Sequence, residues 1–386
     1  MTDAQESRID HEIAMVVTLL MAVGTVFVFS AGANIGQEFK LERFYDFQPL
    51  RQILFFPLAV IVMYAVSSLD YRRLSLRKGW LKSPTTYLLA LSIGLLILVL
   101  VPKFGAEINQ ARRWLRIPAG PFAISFQPSE LAKWAVILFL AAFCDRFGDR
   151  LGSYWNGFLP PCLVIGVVVG LIITQDFGTA AFISLLGFLM LLMAGVRWLH
   201  LLTPAPLAAA AFFLAVSTSR SRMDRIIAFL HPEENAGGAA YQATQSLIAL
   251  GSGGLWGKGL GRGICKYGHL PEDTTDFIFA IIGEELGLVG TLAVIVLFMI
   301  LIWLGILVVV RCEDRFGQLL AGGIVLAVGV QAALNIGVVT VVLPTKGIPL
   351  PFVSAGGTSM LLSAAAVGVL VNIAKQSPKP QGGERV

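Results

Sequence analysis

Charge is scarce in this chain. Of 386 residues only 14% are Asp, Glu, Lys or Arg, while 56% are apolar, and an ordinary soluble domain carries about a quarter charged residues. Cysteine is sparse too. Cys144, Cys162, Cys265 and Cys312 have no metal-type spacing, and only Cys265 lies in a long loop, which argues against a structural disulfide. The four histidines (His11, His200, His231, His269) form no His-x-x-His or Glu-x-x-His pair, so a dedicated zinc site lacks its ligands. No Gly-Lys-Ser/Thr signature follows a strand pattern, which leaves a nucleotide phosphate loop unsupported.

What the chain has is long apolar runs. Stretches of the length needed to cross a bilayer core fall at roughly 13–34, 53–69, 84–102, 128–145, 158–174, 178–196, 198–218, 277–310, 317–342 and 353–375. They predict an all-α polytopic integral membrane protein with about ten transmembrane helices and one long extracytoplasmic loop. Residues 1–12 are a polar cytoplasmic N-terminal segment. Because the first apolar run exceeds a signal-peptide core, it reads as an uncleaved span. Residues 13–375 form one membrane domain, with the large extracytoplasmic loop at 219–276. The Pro/Gln/Gly-rich tail 376–386 reads as disordered.

With a cytoplasmic N-terminus, Lys and Arg divide fourteen to each side, Lys133 lying in a span. The short loop Asp70–Lys82, with five cations, favours the cytoplasm for that end. An anionic ligand on the outer face accounts for the cations left there.

The outer segments hold the candidate chemistry. Glu272, Asp273 and Asp276 run straight into an apolar helix, and an ionisable group at the lipid boundary reads as functional. Loop 102–127 brings Lys103, Arg112, Arg113 and Arg116 beside Trp114. Arginine forks suit phosphate, though a solvated loop meeting lipid headgroups reads equally well. Gln127-Pro128-Ser129-Glu130 opens a helix on which Glu130 and Lys133 share a face, where an ion pair docking helices is preferred to direct chemistry. Asp176 reads first as a helix cap. Tyr241–Ser246 contributes Gln242, Gln245 and Ser246, and glycines at 251–263 let a re-entrant loop turn tightly. Pro344–Gly357 is a stiff loop with Lys346, Ser354, Gly356 and Gly357, on the same face as Asp276. Glu284 and Glu285, two turns deeper, read as packing partners.

One lone acid, several cations and glycine-rich turns suit sugar transfer from a lipid diphosphate. The diphosphate leaves as an anion and needs cationic stabilisation, whereas the incoming hydroxyl needs a general base. Glycoside hydrolysis would call for two paired carboxylates.

These residues resemble the SEDS family of peptidoglycan glycosyltransferases, which polymerise lipid II. The motifs run through almost the whole chain: Ser30-Ala31, Ala111–Trp114, Gln127–Lys133, Asp176–Thr179, Tyr241–Ser246, Leu270–Gly287 and Pro344–Gly357. Pro344–Gly347 and Ala280–Gly287 resemble the division branch more than the elongation branch. The resemblance implies ten spans with both termini cytoplasmic, and an inverting transferase in the bacterial cytoplasmic membrane at the septum. It makes Asp276 the catalytic acid residue. Its substrate-binding set would be Arg112, Arg113, Trp114, Gln127, Ser129, Glu130, Lys133, Asp176, Gln242, Gln245, Ser246, Glu272, Lys346, Ser354, Gly356 and Gly357. Lipid II, a class B penicillin-binding protein transpeptidase and other divisome proteins are the implied partners, with no nucleic acid. A divalent cation (Mg²⁺ or Mn²⁺) bridging the diphosphate is compatible with this, but no closed metal ligand set is visible. Gln110, Gln175 and Ala355 depart from the family pattern, which usually has Gly, Pro and Tyr there. The competing readings are a lipid II flippase, an elongation-type polymerase and a non-catalytic scaffold for a transpeptidase. No inverted repeat or pair of broken helices supports the first.

Overall fold

The computed structural model describes residues 9–32, 48–77, 79–108, 111–119, 122–231, 238, 240–267 and 270–377. Gln110 and the tail beyond Ser377 lie outside the described residues, as do residues 1–8. The helices are α1 (Ile9–Gly32), α2 (Gln48–Ser67), α3 (Pro84–Leu100), α4 (Pro128–Arg146), α5 (Leu159–Ile172), α6 (Phe177–Met193), α7 (Trp198–Leu202), α8 (Ala205–Ser217), α9 (Arg220–Leu230), α10 (Tyr241–Gly253), α11 (Ile278–Arg311), α12 (Arg315–Val339) and α13 (Gly357–Gln376).

Seven stretches are long and apolar enough to cross a membrane: Ile9–Gly32, Pro49–Ser67, Tyr154–Ile172, Trp198–Ser217, Ile278–Arg311, Arg315–Val339 and Gly357–Gln376. Pro84–Leu100 and Phe177–Met193 are apolar but shorter, and α4 carries Glu130, Lys133, Asp145 and Arg146. Together these make the ten helices that the apolar runs predict. Local chemistry sets several starts. Pro84 and Pro128 occupy first-turn positions where a missing N–H costs nothing. Ser83, Asp176 and Asp314 each accept a backbone N–H as N-caps. The core lies among α1, α4, α11, α12 and α13, whereas α8 has no buried residue. At the end of the bundle away from Asp276, Arg77 bonds both oxygens of Asp145 (2.8 Å each) and also Asp314 (2.6 Å), which ties the 70–82 loop to α4 and α12.

Two features depart from the expected picture. Segment 102–127, read as a loop, forms an antiparallel sheet of β1 (Gly105–Ile108), β2 (Ala111–Ala119) and β3 (Phe122–Phe126). Ala106 pairs with Trp114, Glu107 with Arg112 and Arg116 with Ser125. Arg112, Arg113 and Arg116 put charge on both faces of β2, so no period-two apolar pattern betrays the strand.

The second is a break in α11. At Gly287 the backbone leaves the helix (φ 67°, ψ −160°). The glycine-rich loop fills the gap: Lys258 and Gly259 N–H donate to the Glu284 and Glu285 carbonyls (both 3.0 Å), while Leu288 and Val289 N–H donate to Gly254 and Leu255 (2.9 and 3.2 Å). Backbone groups freed by the break are thus satisfied by protein, as an apolar setting requires. Gly257, at φ +77°, lies so close to Gly287 that a Cβ on either would collide with the opposing backbone.

Candidate active site

Asp276 ends a turn that packs under the loop following α12. Three successive carbonyls of that turn are held: Thr274 accepts from Ala355 N–H (2.9 Å), Thr275 from Ser354 Oγ (2.5 Å) and Asp276 from Asn335 Nδ2 (2.8 Å). Asn335, buried on α12, also donates to the Ile348 carbonyl (2.8 Å). One turn earlier, Gln331 donates to the Pro349 carbonyl (2.9 Å). Two amides on one helix therefore rack the 346–350 loop, and Asn335 ties that loop to the Asp276 turn. Glu272 opens the turn with a left-handed backbone (φ 58°), an unfavourable conformation for a side-chain-bearing residue.

The Asp276 carboxylate itself is half-buried, and among the described residues none donates a hydrogen bond to it. Burial, then the nearby Glu272 and Asp176 charges, push its pKa up to about 7 against the pull of Arg225 and Arg113. Gly347 closes one side, since a Cβ there would sit 2.9 Å from Asp276 Oδ2.

The cations divide into two kinds. The Arg112 N–H donates to Gln175 Oε1 (2.9 Å) and its guanidinium to Glu107 (3.2 Å). Arg113 Nε donates to the Gln175 carbonyl (2.7 Å). Arg222, on α9, bonds the carbonyls of Ile173 and Thr174 (3.2 and 2.7 Å). These arginines clasp the α5–α6 turn, whose Asp176 caps α6 through Thr179 N–H (3.1 Å) and lies 3.4 Å from Gln127 Nε2. Lys346 is different. It has no carboxylate partner among the described residues, and burial pulls its pKa down.

Residues 10–379 match the profile of a family described as cell cycle proteins, which groups FtsW, RodA and SpoVE. The chain belongs to the FtsW/RodA/SpoVE family. It is 37% identical to a probable peptidoglycan glycosyltransferase FtsW of Geobacter sp. (strain M18), over 94% of this chain and 96% of that protein. To stage V sporulation protein E of Bacillus subtilis (strain 168) it is 36% identical, over 95% and 97%. It also resembles a chain of a solved peptidoglycan synthase complex, described as coordinating polymerization and crosslinking. There the TM-score is 0.73 and the identity 26%, covering 94% of this chain and 96% of that one.

In this FtsW/RodA/SpoVE protein the remaining expected residues scatter. Glu130 and Lys133 pair at 2.9 Å inside the bundle, where Lys133 also bonds Gln331 (3.0 Å) and Ser359 bonds Glu130 (2.7 Å). That network supports the 346–350 loop through Gln331, which donates to the Pro349 carbonyl. Ser246 donates to the Val339 carbonyl (2.7 Å) and joins α10 to α12. Gln242 and Gln245 are half-buried on α10, and nothing among the described residues links them to Asp276. Ser129 is buried in the first turn of α4, a Cβ added at Gly357 would sit 3.3 Å from the Phe55 ring, Gly356 caps α13, and Trp114 stays half-exposed on β2. Glu284 and Glu285 are wholly buried and hold the glycine-rich loop, paired with Lys258 (2.7 Å) and Lys266 (2.9 Å).

Sequence reasoning missed Asn335, Gln331 and Gly347, and it left Arg222 and Arg225 outside the site. The amides are lone polar residues in an apolar helix, a signal that could have raised them. Nothing local marks Gly347.

Proposed function

We propose that this protein is a peptidoglycan glycosyltransferase that polymerises lipid II by inverting transfer, serving septal synthesis in division. The observation that carries the reading is Asp276: a half-buried carboxylate with no hydrogen-bond donor among the described residues, its pKa raised to about 7, next to the loop that carries Lys346. The name carried by the Geobacter relative supports the same activity. The acceptor's 4-hydroxyl gives its proton to the Asp276 carboxylate while its oxygen attacks the anomeric carbon of the growing chain's lipid-linked end. The bond from that carbon to the diphosphate breaks on the opposite face, so configuration inverts and the polyprenyl diphosphate departs with the electron pair. Lys346 meets the charge that builds there, with the Arg113 and Arg225 charges nearby. A positive charge placed where charge develops is worth more to the transition state than to the bound substrate.

Among the described residues no three carboxylate, thiol or imidazole groups gather to hold a metal. A divalent cation here would be held by one or two carboxylates together with the substrate diphosphate. A class B penicillin-binding protein fits as the crosslinking partner, given the complex to which the fold is similar. The active face would be extracytoplasmic, within a bacterial cytoplasmic membrane.

Purified protein should polymerise lipid II, more so with its cognate transpeptidase, and Asp276→Ala should make no polymer at unchanged folded yield. Substantial polymer from folded Asp276→Ala would remove Asp276 as the base.

A further inference from the structure

Lys346 needs a partner that keeps it charged, and its partner is a ring. Its Nζ lies 4.7 Å from the centroid of Phe177. The Arg222 guanidinium carbon lies 5.5 Å from the same centroid, but that arginine is already committed to the carbonyls of Ala215, Ile173 and Thr174. Phe212 of α8 meets Phe177 edge-on, with centroids 5.1 Å apart and planes at 83°. Phe177 itself follows Asp176, the cap that fixes the start of α6. One ring thus joins the Lys346 loop, α9 and the otherwise unburied α8.

A carboxylate holding this lysine would neutralise it and would compete with an incoming anion. An aromatic face attracts the ammonium through its quadrupole and leaves the positive charge available. Burial works against the ammonium here, which makes the ring's contribution matter more. The edge contact from Phe212 sets the tilt of Phe177, because aromatic pairs hold preferred edge-to-face geometry.

We propose that Phe177 is a positioning residue for the transfer reaction, fixing by cation–π attraction the ammonium of Lys346, whose chain neighbour Gly347 adjoins Asp276, with Phe212 making the placement of α8 part of that control. The contact stands on geometry alone; its consequence for turnover rests on the transferase reading above.

The test replaces Phe177 with mono-, di- and trifluorinated phenylalanine, which keep the ring's shape while draining its negative face. Turnover per folded molecule should fall stepwise, by roughly tenfold across the series. Phe177→Leu should lie at or below the bottom of that range, with Phe212→Leu between it and the natural protein. A second readout does not depend on activity. Reductive methylation with ¹³C-formaldehyde labels the lysines, and Lys346→Arg identifies the Lys346 resonance by its loss. Over the Phe177 ring that resonance should be shifted upfield, and Phe177→Leu should abolish the shift. A flat fluorine series, or a Lys346 resonance without a ring shift, overturns the proposal. If the natural protein makes no polymer yet shows the shifted resonance, the transferase reading falls and the Phe177–Lys346 contact stands.

Discussion

A carboxylate meant to accept a proton near neutrality must be kept from ionising early, and burial beside Glu272 and Asp176 does this to Asp276. The base works deprotonated, so kcat/KM should rise with pH through about 7. An unperturbed aspartate, with a pKa of about 4, would already be fully active well below that. Asp273, pushed up to about 6 by burial, is the rival source of such a step. The profile of Asp273→Asn separates them, since the step should survive that change. A step that vanishes in Asp273→Asn would assign the titration to the wrong aspartate. Gly347→Ala is the sharper steric test. No left-handed backbone protects that glycine, so the added methyl acts mainly on Asp276 Oδ2, 2.9 Å away. Displacing the base by a fraction of an ångström to one ångström should lower kcat by about 10 to 100-fold at normal folded yield. Wild-type turnover in Gly347→Ala would show that the carboxylate has room to spare.

At the scale of elements, the broken α11 and the glycine-rich loop form one unit, closed by the part-buried Glu284–Lys258 pair and the buried Glu285–Lys266 pair. Glu285 also takes hydrogen bonds from Ser30 of α1 and from Gly261 N–H. Removing one charge of a buried pair strands the other, a loss of about 3–5 kcal/mol. Glu285→Gln and Lys266→Met should each lower the thermal midpoint sharply, and the double variant should recover much of the loss. A double variant as unstable as the sum of the singles would show the two residues acting independently. The glutamates' place beside Asp276 in sequence does not reveal this job. Only the break at Gly287 shows that they anchor a loop from another part of the chain.

For the whole molecule, the proposed orientation places Asp276 and the large loop outside, and the Arg77 end inside. Glu272 is exposed at the first and Leu81, 80% exposed, at the second. In a Cys162→Ser background, with Cys144, Cys265 and Cys312 buried, a membrane-impermeant maleimide should label Glu272→Cys in intact spheroplasts. It should reach Leu81→Cys only after the membrane is opened. The reverse pattern would invert the topology and place the candidate site in the cytoplasm.

The ten apolar runs, the capped or proline-led helix starts and the lone acid at the head of α11 were legible from residue order. Helix-length hydrophobicity and capping are local properties, and the bilayer length scale is set outside the protein. The SEDS-type motifs located the Asp276 turn for the same reason, each being a short contiguous string. The tertiary structure alone decided which groups face one another. It assigned Arg112 and Arg113 to Gln175, a residue that departs from the family pattern and supplies both a side-chain and a backbone acceptor. It left Lys346 without a carboxylate partner among the described residues, racked two loops on Asn335 and Gln331, and folded a charged segment into a sheet. Hydrogen bonds, charge pairing and burial act across space, between residues separated by tens to hundreds of positions, and no local period records them.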